Sequence, residues 1–523
     1  MGFYGSRIPP YAERIPLASA IIYKEGDYAV AKVWNEQYGR WSRIAKSTDH
    51  ASVIQAAIDS LTPNRTWKEK VILKGDFVVS KTIEIPSYTV LEINGSIKLA
   101  DGANTRIIMN KNRYTGDQYI DIIGGIIDGN KTNQTSEFAG IRLYGCSYCV
   151  IRNVTVRNVY GIGILINPTL DRSVRGKQVA IVSSVFINNR HHHIQVSSDE
   201  CIVVGNLLDT TDMYDGIQID TANRNLVANN VILNSAREGI RIMTYEDGYG
   251  NENVIANNII VGANNGGINV TGGSTSKEMY RNVVIGNYIY NVSKDGIIID
   301  YSPNSVVEGN YVEGNGRYGI YVWRNSHYTE VVNNYIIEHT GTTGRGIHAN
   351  SDYLLIEGNY VVNSAVAGID VYGSYCHVIA NVVQDSNYNI RFNESQHNVA
   401  MNNLCVGGYV GIEETANGDY NYIIGNRVLN NSVAGIRTNG ANTVVKRNIG
   451  HLTENSGTAI IPAGSTKVTV YHGLVSTPEK VHATPLNDPG TYWYIANRNS
   501  TTFDIILASP PSSDVIFSWY AEV

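Results

Sequence analysis

The sequence predicts an all-β protein. The expected fold is a right-handed parallel β-helix, a solenoid, with an N-terminal capping helix and a small C-terminal β-sandwich domain. Three observations carry this. A Gly-Ile step recurs along most of the 523 residues. Asp215-Gly-Ile-Gln-Ile-Asp220 is followed by Glu238-Gly-Ile-Arg-Ile-Met243, then by Gly267-Ile, Gly296-Ile, Gly319-Ile, Gly346-Ile, Gly368-Ile, Gly411-Ile and Gly435-Ile. Gly140-Ile, Gly163-Ile and His193-Ile precede them, and Asn389-Ile fills the one gap. A repeat of 20 to 30 residues marks a coil that stacks on itself. A second strand in each unit opens with Asn, as in Asn230-Val, Asn258-Ile, Asn287-Tyr, Asn310-Tyr, Asn334-Tyr, Asn359-Tyr, Asn381-Val, Asn403-Leu and Asn426-Arg. Stacked amides at one position can bond along the stack. Helical periodicity is missing throughout this region.

Taken in order, residues 1–47 read as an irregular leader with a strand pair around Gly26-Asp27. Residues 49–61 form the one clear helix: Thr48 or Asp49 caps it, and Val53, Ile54, Ala57, Ile58 and Leu61 make one apolar face. An open solenoid end needs a cover, so this helix is read as the cap of a β-helix spanning 48–450. Within a rung such as Gly216-Ile-Gln-Ile-Asp220, Ile217 and Ile219 face inward and Gln218 and Asp220 outward, because strand side chains alternate. Residues 451–523 lose the repeat. Their short strands between Gly, Pro and Ser turns predict a separate all-β domain, for trimerisation or glycan binding.

Composition narrows the partners. Net charge is -6 without a basic block, which argues against nucleic acid. No apolar run is long enough for a membrane span, and the first ten residues lack the apolar core of a secretory signal. Five cysteines, at 146, 149, 201, 376 and 405, make an odd set better suited to packing than to a disulfide framework. Neither a metal nor another cofactor is expected, because consecutive His191, His192 and His193 cannot all face one ion; at best His191 and His193 point together.

Thr48-Asp49 with Val53-Ile-Gln-Ala-Ala-Ile-Asp59, the Gly-Ile rungs and the Arg190-His-His-His193-Ile-Gln step together resemble the pectate-lyase-like β-helix superfamily. Within it they resemble phage tailspike-like polysaccharide depolymerases. His472-Gly-Leu, Thr484-Pro-Leu and Phe517-Ser-Trp519 are similar to modules that end phage spike proteins. The resemblance implies a homotrimer, in a virion tail or outside the cell, that binds and cuts a surface polysaccharide. The polygalacturonase pattern within the superfamily is only partly present, since Glu238 stands where paired acids would and no Gly-His-Gly follows.

Chemistry is expected on adjacent coils around Asp209-Thr-Thr-Asp212-Met-Tyr-Asp215. Asp215 and Glu238 precede Gly on successive rungs, with backbones ~4.8 Å apart. Carboxyls that close push one pKa up, as a general acid requires, and Asp220 offers a longer separation. The catalytic candidates are therefore Asp215, Glu238 and Asp220, with a glycoside hydrolase favoured. Gln195, Gln218, Arg241, His193, Tyr214 and Asn269 are candidate substrate contacts. A lyase or uronan epimerase would use His193 or Tyr214 as base and Arg241 to neutralise a uronate. A non-catalytic adhesin would share the same fold. Farther along the outward column, His348, Asp370, Arg391, Glu413 and Arg437 read as a surface ion ladder. Tyr288, Tyr311, Tyr335 and Tyr360, with the terminal Tyr492, Trp493, Tyr494, Phe517, Trp519 and Tyr520, suit sugar stacking or a trimer interface.

Overall fold

The computed structural model describes residues 18–246 and 248–523. The first 17 residues of the expected leader lie outside that range. The chain divides into two compact units: one runs to Gly316 and includes Trp323–Ser326, the other comprises Arg317–Val322 and His327–Val523.

In the first unit, Ala20–Glu25, Tyr28–Asn35 and Arg40–Ser47 form an antiparallel meander that turns at Gly26. The sequence suggested a leader apart from the coil. Instead Ala20–Tyr23 pairs in parallel with Val71–Lys74, the first long strand of the solenoid. The helix is His50–Asp59, shorter than expected, and Asp49 caps it by accepting the Ser52 amide at 3.2 Å. Val53, Ile54, Ala57 and Ile58 are buried beneath it; Leu61, also buried, lies past its end. Thereafter the Gly-Ile strands stack in parallel, with Ile194, Ile217, Ile240, Ile268 and Ile297 in register. All five are buried.

The asparagine series forms the expected ladder inside each unit. Asn206, Asn230, Asn258, Asn287 and Asn310 pass Nδ2–H to the next Oδ1 at 2.9–3.0 Å in the first. Asn359, Asn381, Asn403, Asn426 and Asn448 do the same in the second. Each amide in the interior of a ladder thus finds partners on both neighbouring coils, as a buried polar group must. The five cysteines are free and buried.

The second unit repeats the coil through Tyr318–Val322, Arg345–Ala349, Ala367–Val371, Tyr388–Phe392, Val410–Glu414 and Ala434–Arg437. Tyr321, His348, Asp370, Arg391, Glu413 and Arg437 share one register column, as the sequence indicates. The column is not a surface ladder, however. Asp370 is fully buried, takes 2.8 and 2.6 Å bonds from Arg391, and pairs with Arg345. Two three-stranded antiparallel sheets then close over Ile461, Phe503, Ile505, Phe517 and Trp519, forming the terminal sandwich.

The tyrosines that follow the asparagine ladder stack in pairs, Tyr288 on Tyr311 at 5.0 Å and Tyr335 on Tyr360 at 4.7 Å. A second stack has no counterpart in the sequence reading. Tyr328, Tyr353, Tyr375, His397 and Tyr420 follow one another at 4.9–5.1 Å, each with a left-handed backbone. That conformation is uncommon for bulky residues, and stacking on both neighbours offsets its cost. Among the described residues no helix is long and apolar enough to cross a membrane.

Candidate functional site

The corner before each Gly-Ile strand is tight. A Cβ at Gly216 would stand 2.7 Å from the Gly239 carbonyl and 2.6 Å from Ile232 Cγ2, so only glycine fits. This fixes Asp215 and Glu238 one above the other, with the Gly216 amide bonded to the Glu238 carbonyl at 3.0 Å. Asp215 Oδ1 accepts the Glu238 backbone N–H at 3.1 Å. Its amide donates to His192 Nδ1 at 3.3 Å, and the same nitrogen lies 3.4 Å from Oδ2. Glu238 Oε1 accepts Asn265 Nδ2 at 2.7 Å and Asn269 Nδ2 at 3.4 Å, and Arg237 Nε lies 3.5 Å from Oε2.

Both carboxyls are buried, Asp215 at 0% and Glu238 at 1% exposure, so water cannot screen one from the other. Burial, then the Glu238 carboxylate, pushes Asp215 up to about 8. Burial also pushes Glu238 up, but the hydrogen bond from Asp215, the charge of Arg237 and the Asn265 amide outweigh it and hold Glu238 below its ordinary value. Burial and mutual repulsion therefore disfavour two charges in the pair and draw its proton toward Asp215. Burial, with the charges of His191, Arg237 and Arg241, pulls His192 down to about 3, so its imidazole is neutral.

Asp215 forms part of the wall of a 290 Å³ cleft with Tyr214, Gln195, Gln218, Arg241 and His192. A 370 Å³ cleft adjoins it, walled by Arg142, Arg172, Arg175, Asp220 and Glu246. Tyr245 lines both, and Gln195 Nε2 reaches Asp220 Oδ2 at 3.3 Å, so the two form one groove. Burial raises Asp220 above its ordinary value, against hydrogen bonds from Thr221 and Gln195. The strand Ile217–Asp220 runs between Asp215 and Asp220. At ~3.3 Å per residue it sets them at opposite ends of the groove, so the close carboxyl pair is Asp215 with Glu238.

Of the expected contacts, Gln195, Gln218, Arg241 and Tyr214 line the groove. Asn269 continues their register column but turns to Glu238. His193 is a correction. It is buried inside the coil, bonded to Asn189 Nδ2 at 2.9 Å and packed on Phe186, and burial pulls it down to about 3. Strand alternation begins only at Ile194, so the three histidines occupy a corner and point three ways. His191 meets Glu137 at 3.0 Å, His192 meets Asp215, and His193 turns inward.

Sequence reasoning missed His192, Arg237 and the wall of Arg142, Arg172, Arg175 and Glu246. A signal for part of the wall existed. The rungs Gly163 to His193 and Gly239 to Gly267 are 30 and 28 residues apart, against 23 for the two between them. The extra residues supply Arg172, Arg175 and Glu246.

The chain is a right-handed parallel β-helix protein. A family model described as periplasmic copper-binding protein (NosD) matches residues 169–345. No curated protein matches the chain significantly. Among solved structures, the tailspike protein of Escherichia coli bacteriophage HK620 in complex with a pentasaccharide is 12% identical at a TM-score of 0.56, over 91% of this chain and 90% of that one. The N-terminal fragment of bacteriophage Phi29 gene product 12 is 14% identical at 0.50, over 75% and 89%. The A-module of the Azotobacter vinelandii mannuronan C-5 epimerase AlgE4 is 16% identical at 0.44, over 76% and 96%.

Proposed function

We propose that the chain binds and cleaves a polysaccharide as a glycoside hydrolase. The observation that carries this is the pair of buried carboxyls on adjacent rungs, Asp215 and Glu238, with Asp215 in the wall of a groove of amides, arginines and tyrosines. Glycoside hydrolysis uses one carboxylic acid to protonate the leaving oxygen and one carboxylate on the other side of the sugar. Asp215, held protonated, is the acid; Glu238 is the carboxylate. At rest the two carboxyls hydrogen-bond each other, so cleavage requires the pair to open to the ~5–5.5 Å at which a retaining enzyme holds a sugar between its carboxyls. Asp220 meets the substrate at the far end of the groove. Gln195, Gln218, Arg241 and Tyr214 hold sugar hydroxyls. The pentasaccharide complex of the HK620 tailspike, a full-length fold neighbour, supports a glycan as ligand.

A polysaccharide lyase is the second reading, favoured by the neutral His192 against Asp215 and by the arginine wall, which would neutralise a uronate. Copper does not fit. The matched segment includes His191, His192 and His193, but they diverge, and among the described residues no three His, Cys, Asp or Glu side chains converge as ligands.

The test is product analysis on a panel of bacterial and plant polysaccharides. New reducing ends from the wild type, lost by about 10²–10⁴-fold in Asp215→Asn and Glu238→Gln, are expected. An unsaturated product absorbing in the near ultraviolet would select the lyase; binding without shorter products would leave an adhesin. We also propose a homotrimer in a virus tail, closed by the aromatic-rich terminal domain. Light scattering on the full chain and on a form ending at Gly450 tests it, and a monomer at high micromolar concentration rules it out.

A further inference from the structure

The larger half of the groove has a charge imbalance that the hydrolytic reading does not use. Arg142 lines it with its guanidinium over the Tyr144 ring at 4.4 Å and its Nε donating to Asn167 Oδ1 at 3.2 Å. Among the described residues no carboxylate pairs with it. A half-buried cation without a counter-charge is costly unless something brings one. Across the cleft, Glu246 holds two more guanidiniums, Arg175 Nη2 at 2.8 Å and Arg172 Nη1 at 3.4 Å. Arg175 is fixed from two further sides, stacked 3.9 Å over Tyr249 and bonded to the Thr221 carbonyl. Glu246 itself is partly exposed, and Tyr245 beside it is 62% exposed. An ordered arginine gripped by a partly exposed carboxylate resembles an anion site filled by the protein's own anion. Arginine forks match carboxylates in two parallel bonds, which makes the exchange for an external carboxylate geometrically direct.

We propose that Arg142, Arg175 and Arg172 form a carboxylate subsite for an acidic sugar, and that Glu246 occupies part of it until substrate arrives. This rests on the reading that the groove takes a glycan, and it adds the class: a polymer bearing carboxylates on its sugars. An acidic residue displaces Glu246 from Arg175 and brings Arg142 the counter-charge it lacks. The neighbouring sugar then extends past Gln195 toward Asp215.

The experiment is a glycan array on the full chain, spanning neutral, carboxylated, sulfated and phosphorylated polysaccharides. The best carboxylated polymer is then titrated before and after chemical reduction of its carboxyls to alcohols. Carboxylated hits are expected, with affinity falling at least tenfold on reduction. Arg142→Gln and Arg175→Gln should each lose about as much on the native polymer and bind the reduced one like the wild type. Glu246→Gln should bind the native polymer several-fold more tightly, a gain that a misfolded variant cannot give. Equal binding of native and reduced polymer overturns the subsite, as do hits confined to neutral, sulfated or phosphorylated glycans. Cleavage of a neutral glycan would overturn the subsite while leaving the hydrolase in place; no glycan bound at all would overturn both. Weaker binding by Glu246→Gln would overturn its role as a stand-in.

Discussion

One rung geometry carries two kinds of carboxyl site. In the second unit each acid of the outward column is answered by arginine. Asp370 is gripped by Arg391 and Arg345, and Glu413 by Arg437 at 2.7 Å. In the first unit Asp215 faces a neutral imidazole and a second carboxyl, and among the described residues no Lys or Arg lies within ion-pair distance of it. The backbone frame is the same, parallel strands in register with glycine at the corner. What differs is one position. Asp370 sits on its strand, where the residue above it is Arg391. Asp215 sits in the corner before its strand, where the residue above it is Glu238. A paired acid stabilises the coil; a doubled acid keeps a proton. The difference separates a structural column from a chemical one, and substitutions can test the separation.

The largest expected effect crosses the two sites. Asp215→Asn keeps the shape and neutrality of the protonated acid but has no acidic proton to give, so it should cut cleavage by about 10²–10⁴-fold while unfolding no more easily than the wild type at neutral pH. Asp370→Asn should do the reverse. It leaves two part-buried guanidiniums without their counter-charge and should lower unfolding free energy by about 3 kcal/mol, while the surviving folded protein cleaves at the wild-type rate. Denaturant titration and a reducing-end assay on both variants read this directly. An Asp370→Asn protein as stable as the wild type would show that the column contributes nothing.

The asparagine ladders serve as the control, because they are alike in both units. Asn258→Ala strips partners from the Asn230 amide groups and the Val227 carbonyl. Asn381→Ala does so to Asn359 and the Ile356 carbonyl. Each orphans buried donors and an acceptor, so each should cost about 2–4 kcal/mol. The two losses should match within error. A large difference, measured by the same denaturant titrations, would mean the units do not share one frame.

The frame was legible in the sequence because the coil permits little choice at its fixed places. An isoleucine must fill the interior at 217 and 240, glycine alone fits at 216, and an amide at 258 or 381 must meet its own kind above and below. Asp215 and Glu238 could be found for the same reason, since they are tied to the glycine. What was not legible lies where the period breaks. His192 faces the site rather than His193 because strand alternation does not hold in a corner. Arg172, Arg175 and Glu246 come from long coils whose course no repeat dictates. The left-handed tyrosines at 353 and 375 stand where glycine or asparagine would be expected, and only their stacking explains them.

The smallest effect distinguishes the acids by pH. Asp215 is raised from 3.8 to about 8, so between those values the folded chain holds a proton that the unfolded chain has released. Its stabilising contribution is complete below pH 3.8 and is lost as pH rises through 8. His192 and His193 act in the opposite sense. Both are pulled from 6.5 to about 3, so their contribution is complete above pH 6.5 and is lost as pH falls toward 3. Glu238, held below its ordinary value of 4.5, also matters only in acid. Between pH 6.5 and 8 Asp215 therefore acts without opposition from these groups. Over that interval wild-type unfolding free energy should fall by on the order of 1–2 kcal/mol. Asp215→Asn should remove most of the slope. Asp370→Asn should shift the whole curve down and leave the slope in place. Thermal unfolding scans at half-unit steps across the interval would show it, and a wild-type curve flat from 6.5 to 8 would mean that Asp215 is ionised in the fold and that the pair holds no proton to give.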